Sequence, residues 1–191
     1  VYGPTLVEPE ILLPRNAACL RLPGTDGKAK MSKSLGNCIY LSDTAEDLRK
    51  KVMSMYTDPN HIRIEDPGQI EGNCVFTYLD AFSCTDHFAE FLPDYACLDE
   101  LKAHYQRGGL GDVKVKKFLY AVLQQMLEPI RARRKEYEQD IEGVYEVLKR
   151  GCEVARAEAA ETLNMGRNSM KINYFEDLDL IREQAQMYKS K

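Results

Sequence analysis

The 191-residue sequence lacks the features that mark several broad classes of protein. It has no run of about 18 apolar residues, so it predicts no membrane-spanning helix. The first ten residues lack the basic start and apolar middle of a secretory signal, which favours the cytoplasm. With 44% apolar and 29% charged residues, the composition is also unlike that of a disordered chain. These absences favour one or two globular domains.

The six cysteines lack the spacing of a metal site. No two are spaced as Cys-x-x-Cys, and no histidine pair stands near them at zinc-finger spacing, so we predict no metal-binding residues. An even count would allow three disulfides, but without a secretory signal the reduced state is favoured. Tryptophan is absent too, which excludes nothing, because only about two or three would be expected in this length.

The net charge of −4 is unevenly distributed along the chain. Residues 41–101 carry 4 basic and 13 acidic side chains, residues 1–40 carry 5 and 3, and residues 102–150 carry 11 and 7. Exposed charges are screened within about 10 Å, so a partner responds to the local sign of the charge. Two regions are therefore basic enough to bind an anion despite the acidic average.

Residues 1–41 and 42–191 differ in character. The first part holds four of the eight prolines and four of the twelve glycines, with a strand predicted at 18–22 and a second short apolar run at 38–41. The backbone groups of a strand need partners, and two short strands do not provide a sheet. We therefore expect the first part to be the edge of an α/β domain, and the chain to be the C-terminal part of a longer protein.

The second part is predicted to be helical, because its apolar residues recur at helical spacing. Thr44 fits the N-cap of a first helix, and Asp112 the cap of a long fifth one. Within that fifth helix, Pro129 should cause a kink or a restart. A sixth helix should end at Gly166, and the tail at 174–188 fits a last amphipathic helix.

The most informative segment is Lys30-Met31-Ser32-Lys33-Ser34, in a loop flanked by glycines. Lysine is a compact positive charge with three donors on a flexible stem. Two lysines three positions apart, interleaved with hydroxyls, can wrap a polyphosphate and neutralise charge that develops on a leaving group. The alternative is an ordinary solvated loop, because Lys and Ser are common at protein surfaces.

These five residues match the KMSKS signature of the class I aminoacyl-tRNA synthetases. Their setting is similar as well, with the 18–22 strand before the loop and Leu-Gly-Asn-Cys-Ile-Tyr-Leu-Ser-Asp at 35–43 after it. Within class I, the chain most resembles the tryptophanyl-tRNA synthetases, through Tyr-Gln-Arg-Gly-Gly-Leu-Gly at 105–111 and Glu-Pro-Ile-Arg at 128–131. The resemblance covers roughly residues 18–165.

The resemblance implies a mainly α fold: a helical bundle of the anticodon-binding type, preceded by the last strands and KMSKS loop of a Rossmann-type α/β domain. Residues 1–41 would be the C-terminal edge of the catalytic domain, and residues 42–191 the helical connector and anticodon-binding domain. The implied enzyme is a tryptophan–tRNA ligase. It activates tryptophan with ATP to tryptophanyl-adenylate, releases pyrophosphate and charges tRNA(Trp).

The resemblance also assigns roles to the loop residues. Lys30 and Lys33 would be catalytic, stabilising the triphosphate while Mg²⁺ brought in with ATP shares its charge. Ser32 and Ser34 would donate to phosphate or hold the shape of the ATP-binding loop, and Met31 would anchor it. Homodimer contacts in this family lie mainly in the N-terminal half, which this chain is expected to lack.

Features of the first half of a class I synthetase are missing from the sequence. These are the dinucleotide-type fold, the amino-acid pocket and a His-x-Gly-His motif, which none of His61, His87 and His104 matches. No G-x-x-x-x-G-K-[ST] loop is present either. We interpret the three histidines as surface or helix-packing residues, and we predict that the 191-residue chain alone does not aminoacylate tRNA.

A second candidate site is a basic cluster on the fifth helix. At 100° per residue, Lys117, Arg131 and Lys135 fall within about 40° of one another, opposite the apolar stripe, and Lys114 and Arg134 extend the cluster. An ordinary solvated face is the alternative, and a glutamate three positions before Arg131 could neutralise one charge. Since the helical domain of the resembled family reads the anticodon, the resemblance implies that these five residues contact tRNA.

Two other functions stay open. The tyrosine-specific relatives share the class I plan, and the pocket that separates indole from phenol would lie outside this chain. A non-catalytic helical module that binds RNA or a protein is the second alternative.

Overall fold

The computed structural model describes residue 3 and residues 5–189. The outermost residues of both predicted domains therefore lie outside the described residues. The predicted mainly α fold is confirmed, since the described chain contains seven α-helices. They are α1 (Ala45–Met53), α2 (Cys74–Phe82), α3 (Thr85–Phe91), α4 (Leu98–Arg107), α5 (Asp112–Gln139), α6 (Ile141–Met170) and α7 (Leu178–Lys189). None of these described helices is both long and apolar enough to cross a bilayer.

The strand predicted at 18–22 is wrong. Ala17–Cys19 form one turn of 3-10 helix, in which the side chain of Asn16 accepts a hydrogen bond from the Ala18 N–H at 3.0 Å. The same Asn16 amide donates to the carbonyl of Asp80 at 2.8 Å, which fixes the turn against α2. The apolar side chains here give the composition of a strand, but the backbone groups bond within the turn instead of to a neighbouring strand.

The apolar run at 38–41 is not a strand either, and the part of the chain that the structure describes contains no β-sheet. Its one recorded β-type pairing is an isolated antiparallel bridge between Pro23 and Lys30. That bridge closes the turn at 24–29, just before the KMSKS segment. In the apolar run, Cys38 is buried and Ile39 packs against the core, whereas Tyr40 and Leu41 are exposed.

The chain divides into two compact units. One is Leu13–Glu138, and the other consists of the described parts of Val1–Leu12 and Gln139–Lys191. The predicted domain boundary between residues 41 and 42 is a different division, because it separates a catalytic domain from a helical domain of a larger enzyme. It stays a prediction.

The unit Leu13–Glu138 has one hydrophobic core, made by α1 to α5. Its largest fully buried side chains include Phe76, Tyr78, Phe88 and Tyr105. Full burial of such a side chain stabilises the fold by about 1.5–3 kcal/mol. The loop segment rests on this core through three partly buried side chains, Leu22, Met31 and Ile39. The core therefore supports the loop from below.

The predicted N-cap of α1 is confirmed. Thr44 Oγ1 accepts from the Asp47 N–H at 3.1 Å and donates to the Asp47 carboxylate at 2.7 Å. The second bond is the main reason why the pKa of Asp47 is lowered. The helix therefore starts at a fixed point directly after the loop.

Helix α5 continues through Pro129, so the restart considered at that position does not occur. An internal proline removes one N–H from the helix ladder, and its ring crowds the carbonyl four positions earlier, yet α5 is not interrupted here. Leu127 and Arg131, on either side, are both buried, and this packing holds the two halves of α5 in one continuous helix.

The second unit contains α6 and α7. Asp140 caps α6 by accepting from the Gly143 N–H at 2.9 Å. The predicted end at Gly166 is wrong, because α6 continues to Met170 and is capped by Lys171, a non-glycine residue with φ 54°. The N–H of Ile172 bonds the Arg167 carbonyl at 3.0 Å, which completes a Schellman-type end without a glycine. Helix α7 confirms the helix predicted in the tail.

Candidate functional site

The candidate phosphate-binding loop, residues 23–37, is closed at its base by backbone hydrogen bonds. The Gly24 N–H donates to the Ala29 carbonyl at 2.7 Å, and the Thr25 N–H donates to the Asn37 carbonyl at 3.0 Å. The Thr25 carbonyl in turn accepts from the Tyr56 N–H at 2.9 Å, just beyond α1. The two ends of the loop are thus joined to each other and to the segment just after α1.

The side chain of Asn37 holds the inside of the loop together. It is only 4% exposed. Its Oδ1 accepts from the Ser32 N–H at 2.8 Å, and its Nδ2 donates to Asp26 Oδ1 at 3.1 Å and to the Lys30 carbonyl at 3.4 Å. The bond to Asn37 is the main reason why the pKa of Asp26 is lowered. A Cβ at Gly24 would overlap this amide, so the position requires glycine.

The two lysines of the KMSKS segment point away from this network. Lys30 and Lys33 are exposed, and no ion pair or side-chain hydrogen bond ties either ammonium group to another described residue. Ser32 and Ser34 lie between them with their Oγ atoms 3.0 Å apart, while Met31 packs against the core as the predicted anchor. The loop thus presents two positive charges and two hydroxyls to solvent, an arrangement suited to a polyphosphate.

The exit of the loop is tied to two helices through Asp43. Its carboxylate accepts from the Tyr40 N–H at 2.8 Å and from Lys51 Nζ at 2.5 Å. Lys51 also lies over the Tyr40 ring, 4.4 Å from the centroid. On the other side, Arg131 of α5 donates to the Asp43 carbonyl at 3.2 Å. The loop's support therefore includes the helix that carries the second candidate site.

The predicted solvent-facing position of Arg131 is wrong, since this residue is only 9% exposed. Its guanidinium donates to Gln124 Oε1 at 2.6 Å and pairs with Glu128 at 2.7 Å, which confirms the predicted spacing pair. The bond to Arg131 is also the main cause of the lowered pKa of Glu128. The helical angle places Arg131 opposite the apolar stripe of α5, but the segment before α1 packs over this face and its Asp43 carbonyl accepts from the guanidinium.

The other basic residues of α5 fall into two groups. Lys114 pairs with Asp94 at 2.8 Å, and that bond raises the pKa of Lys114; Lys117, one turn on, is exposed. Arg134, which pairs with Glu138 at 2.8 Å, and exposed Lys135 lie toward the other end. Seventeen positions of helix separate Lys117 from Arg134, about 25 Å. The predicted cluster is therefore two patches on one helix.

A buried polar group near Lys117 was not found from the sequence. Asp112 Oδ1 accepts from the Tyr105 hydroxyl at 2.6 Å and lies 3.4 Å from His61 Nδ1. Burial is the main cause of the raised pKa of Tyr105, and the hydrogen bond to Asp112 is the second cause. The sequence suggested Asp112 only as a helix cap, and its pairing with a histidine 51 positions away leaves no local signal.

The two other histidines have structural roles, as the sequence suggested. His87 Nδ1 accepts from the Cys84 N–H at 3.0 Å at the start of α3, and His104 Nδ1 lies 2.7 Å from the Tyr95 hydroxyl. All six cysteines are free thiols. Within residues 3 and 5–189, no group of three or more His, Cys, Asp or Glu side chains could hold a metal ion.

Comparison with known proteins gives consistent matches. The family model for class I tRNA synthetases (W and Y) matches residues 2–128. The tryptophan–tRNA ligases of Clostridium longisporum and Streptococcus mutans are each 58% identical to the chain, over 179 and 170 residues. These alignments cover 93% and 89% of this chain but 50% and 48% of the relatives. The chain thus spans about half the length of these curated relatives.

A solved structure shares the fold. The tryptophanyl-tRNA synthetase of Campylobacter jejuni, in complex with ADP and tryptophan, matches with a TM-score of 0.61 and 26% identity. The match covers 79% of this chain and 43% of that chain.

Proposed function

This chain belongs to the class I tRNA synthetases of the tryptophan and tyrosine group, and on that premise we propose that it forms part of a tryptophan–tRNA ligase. The proposal rests on one observation above all: Asn37 holds the KMSKS loop in shape, while the ammonium groups of Lys30 and Lys33 pair with no other described residue. The chain would contribute this loop to the activation of tryptophan and its helices to the binding of tRNA(Trp).

Lys30 and Lys33 act on the triphosphate of ATP. When the tryptophan carboxylate attacks the α-phosphate, negative charge builds on the departing pyrophosphate, and two nearby ammonium groups stabilise it. Within the described residues neither ammonium group has an ion pair, so no such pair has to break when the two lysines bind ATP. Mg²⁺ enters with ATP as part of the substrate and shares this charge. Ser32 and Ser34 donate to phosphate oxygens or keep the loop in shape, and Met31 holds the loop on the core.

The exposed basic residues of α5 contact tRNA. Lys117, Arg134 and Lys135 are accessible to phosphates, and Lys114 is exposed beside its partner Asp94. Phosphate contacts orient an RNA, whereas bases carry the sequence information. Arg131 contributes from inside, as a positioning residue, because its guanidinium holds the loop exit at Asp43.

Tryptophan is favoured over tyrosine because the curated relatives at 58% identity are tryptophan–tRNA ligases. We also propose that the enzyme acts in the cytoplasm as a homodimer, through contacts outside this chain. The second candidate is a helical module that only binds RNA. It ranks lower because such a module would not require two exposed lysines on a loop that is held in shape.

The decisive experiment joins this chain to the N-terminal half of the Clostridium longisporum relative and measures ATP–pyrophosphate exchange. We expect exchange that depends on tryptophan and not on tyrosine, and none from the 191-residue chain alone. Lys33→Ala should lower kcat by about 100-fold, the usual effect of removing one group that stabilises developing charge.

Lys28→Ala is the matched control, since Lys28 is an exposed lysine of the same loop outside the KMSKS segment. Equal exchange rates for Lys33→Ala and Lys28→Ala would contradict the catalytic role. Exchange by the chain alone, or activation of tyrosine, would contradict the assignment of the chain and of its substrate respectively.

A further inference from the structure

Helix α5 carries a partly buried lysine, Lys116, next to the exposed Lys117. The Nζ atom of Lys116 donates to the carbonyl of Met53 at 3.1 Å, at the last residue of α1. Burial lowers the pKa of Lys116, and the nearby Asp112 carboxylate partly offsets this effect. An ammonium group that is moved out of water needs an acceptor, so this side chain has a defined partner and a defined place.

The carbonyl that Lys116 binds lies at the carboxyl end of α1. The last carbonyls of a helix lack partners within the helix and carry partial negative charge. A cation there stabilises the helix end, and because this cation belongs to α5, it also fastens α1 to a second helix. Three residues after Met53, the Tyr56 N–H donates to the Thr25 carbonyl at 2.9 Å, at the base of the KMSKS loop. The loop base is therefore attached close to the Lys116 contact.

Two further contacts join α5 to the chain around α1. The Asp112 carboxylate accepts from the Thr57 hydroxyl at 3.3 Å, and Arg131 donates to the Asp43 carbonyl at 3.2 Å. Together with the lysine contact they run in antiparallel order, since positions 112, 116 and 131 of α5 meet positions 57, 53 and 43. The stretch 43–57 is the loop support, and one helix holds it over about 23 Å between positions 116 and 131.

The loop support carries both attachments of the KMSKS loop. Asp43, its first residue, accepts from the Tyr40 N–H at 2.8 Å at the loop exit, and Tyr56 binds the loop base. Between them, Leu48 and Val52 of α1 are fully buried in the core. Apolar burial is not directional, so it keeps α1 on the core without fixing its position along α5. The polar contacts at the two ends fix that position.

We propose that Lys116 is a second positioning residue for the KMSKS loop, and that it acts with Arg131 to fix both ends of the loop support along α5. The inference rests on the proposed function, because the loop has to be aligned with the triphosphate of ATP. A displacement of about 1 Å at a reacting group can lower a rate about 100-fold. Lys116 itself contacts neither ATP nor tRNA, and its effect on the reaction passes through Lys30 and Lys33.

The test is tryptophan-dependent ATP–pyrophosphate exchange by the enzyme made from this chain and the N-terminal half of the Clostridium longisporum relative. Lys116→Met keeps the apolar stem and removes the ammonium group. We expect kcat/KM for ATP to fall about tenfold, the effect of one hydrogen bond from a charged donor, while the KM for tryptophan is unchanged. Lys116→Arg, which keeps a cation with donors, should restore most of the loss.

A double-mutant cycle separates positioning from general stability. In the Lys33→Ala background, Lys116→Met should cost about threefold or less, because one of the two groups that it positions is then absent. A loss of fold stability would lower activity equally in both backgrounds. Lys116→Gln, which ends in a polar group, replaces Lys116→Met if circular dichroism shows that the methionine variant does not fold.

Lys102→Met is the matched control. Lys102 also joins two helices of the same unit, but its partner at 2.6 Å is Asp80 of α2. This variant should change kcat/KM for ATP by less than about twofold. Amide hydrogen exchange in the same enzyme gives a measurement that does not need activity: the Tyr56 N–H should exchange about tenfold faster in Lys116→Met and at the wild-type rate in Lys102→Met.

The outcomes distinguish this inference from the function on which it rests. If Lys116→Met costs the same with and without Lys33, or behaves like Lys102→Met, Lys116 does not position the loop. If the wild-type enzyme shows no exchange of pyrophosphate, the proposed function fails. In that case faster amide exchange at Tyr56 in Lys116→Met still supports the attachment of the loop support to α5, and an unchanged rate overturns it.

Discussion

Replacement of Asn37 by alanine should open the KMSKS loop without unfolding the unit that carries it. The side chain of Asn37 is almost completely buried, and its amide joins three positions of the loop, at Asp26, Lys30 and Ser32. Alanine removes all three bonds. The backbone bonds at the base of the loop do not use this side chain, so the base should stay closed.

The size of the effect follows from the two bonds to backbone atoms, those at Ser32 and Lys30. Each neutral hydrogen bond contributes about 0.5–1.5 kcal/mol net, so about 2 kcal/mol of loop stability is lost. That value corresponds to an increase of about 30-fold in the equilibrium for loop opening. Loss of the third bond, to the exposed Asp26, should only let the pKa of that carboxyl return toward its ordinary value.

The assay is amide hydrogen exchange at Ser32, whose N–H is protected by the Asn37 side chain alone. In Asn37→Ala we expect this exchange to be about 30-fold faster, while buried amides of α2 keep their rates. Asn16→Ala is the control, because it removes a comparable side-chain cap in the same unit without touching the loop. Unchanged protection at Ser32 would refute the argument that Asn37 holds the loop.

Three further substitutions test the supporting structure. Arg131→Met should raise the pKa of Glu128 toward its usual value in an NMR titration, whereas Arg133→Met should not. A lowered carboxyl pKa stabilises the folded state at neutral pH, and this stabilisation is lost on acidification. The Arg131 variant should therefore lose the part of the pH dependence of stability that Glu128 contributes. An unchanged Glu128 titration would contradict this. Lys171→Gly should stabilise α6 by about 1 kcal/mol in chemical denaturation, because its φ favours glycine, and destabilisation would count against this. Gly24→Ala should cost about 1–3 kcal/mol through overlap with the buried amide, and a neutral result would show that the loop can shift.

The helices could be predicted because their signals are local. The Thr44 cap, the apolar spacing and the tail periodicity all act within a few residues, and all correspond to helices in the structure. The structure of residues 18–22 was predicted wrongly as a strand, because strand formation depends on a partner that can be distant in sequence. The end of α6 was misplaced for a related reason: the non-glycine Lys171, and not Gly166, adopts the left-handed conformation.

The site divides in the same way. The KMSKS residues stand together in sequence, so their exposure on one loop could be anticipated. Arg131 could not be placed, because its partners include a carbonyl 88 positions away. His61 and Asp112 meet only after α4 and α5 have packed. Asn37 follows the KMSKS segment closely in sequence, but its hydrogen bonds to Asp26, Lys30 and Ser32 exist only in the folded loop.

The two attachments at the base of the loop make it a flap with fixed hinges. The Thr25–Asn37 bond joins its two stems, and the Tyr56–Thr25 bond fastens that junction to the end of α1. A movement of the tip is therefore confined to the residues between these stems. The proposed contact with phosphate therefore requires no displacement of α1 or α5, and the hydrogen bonds of the Asn37 amide are what resist a change in the shape of the loop.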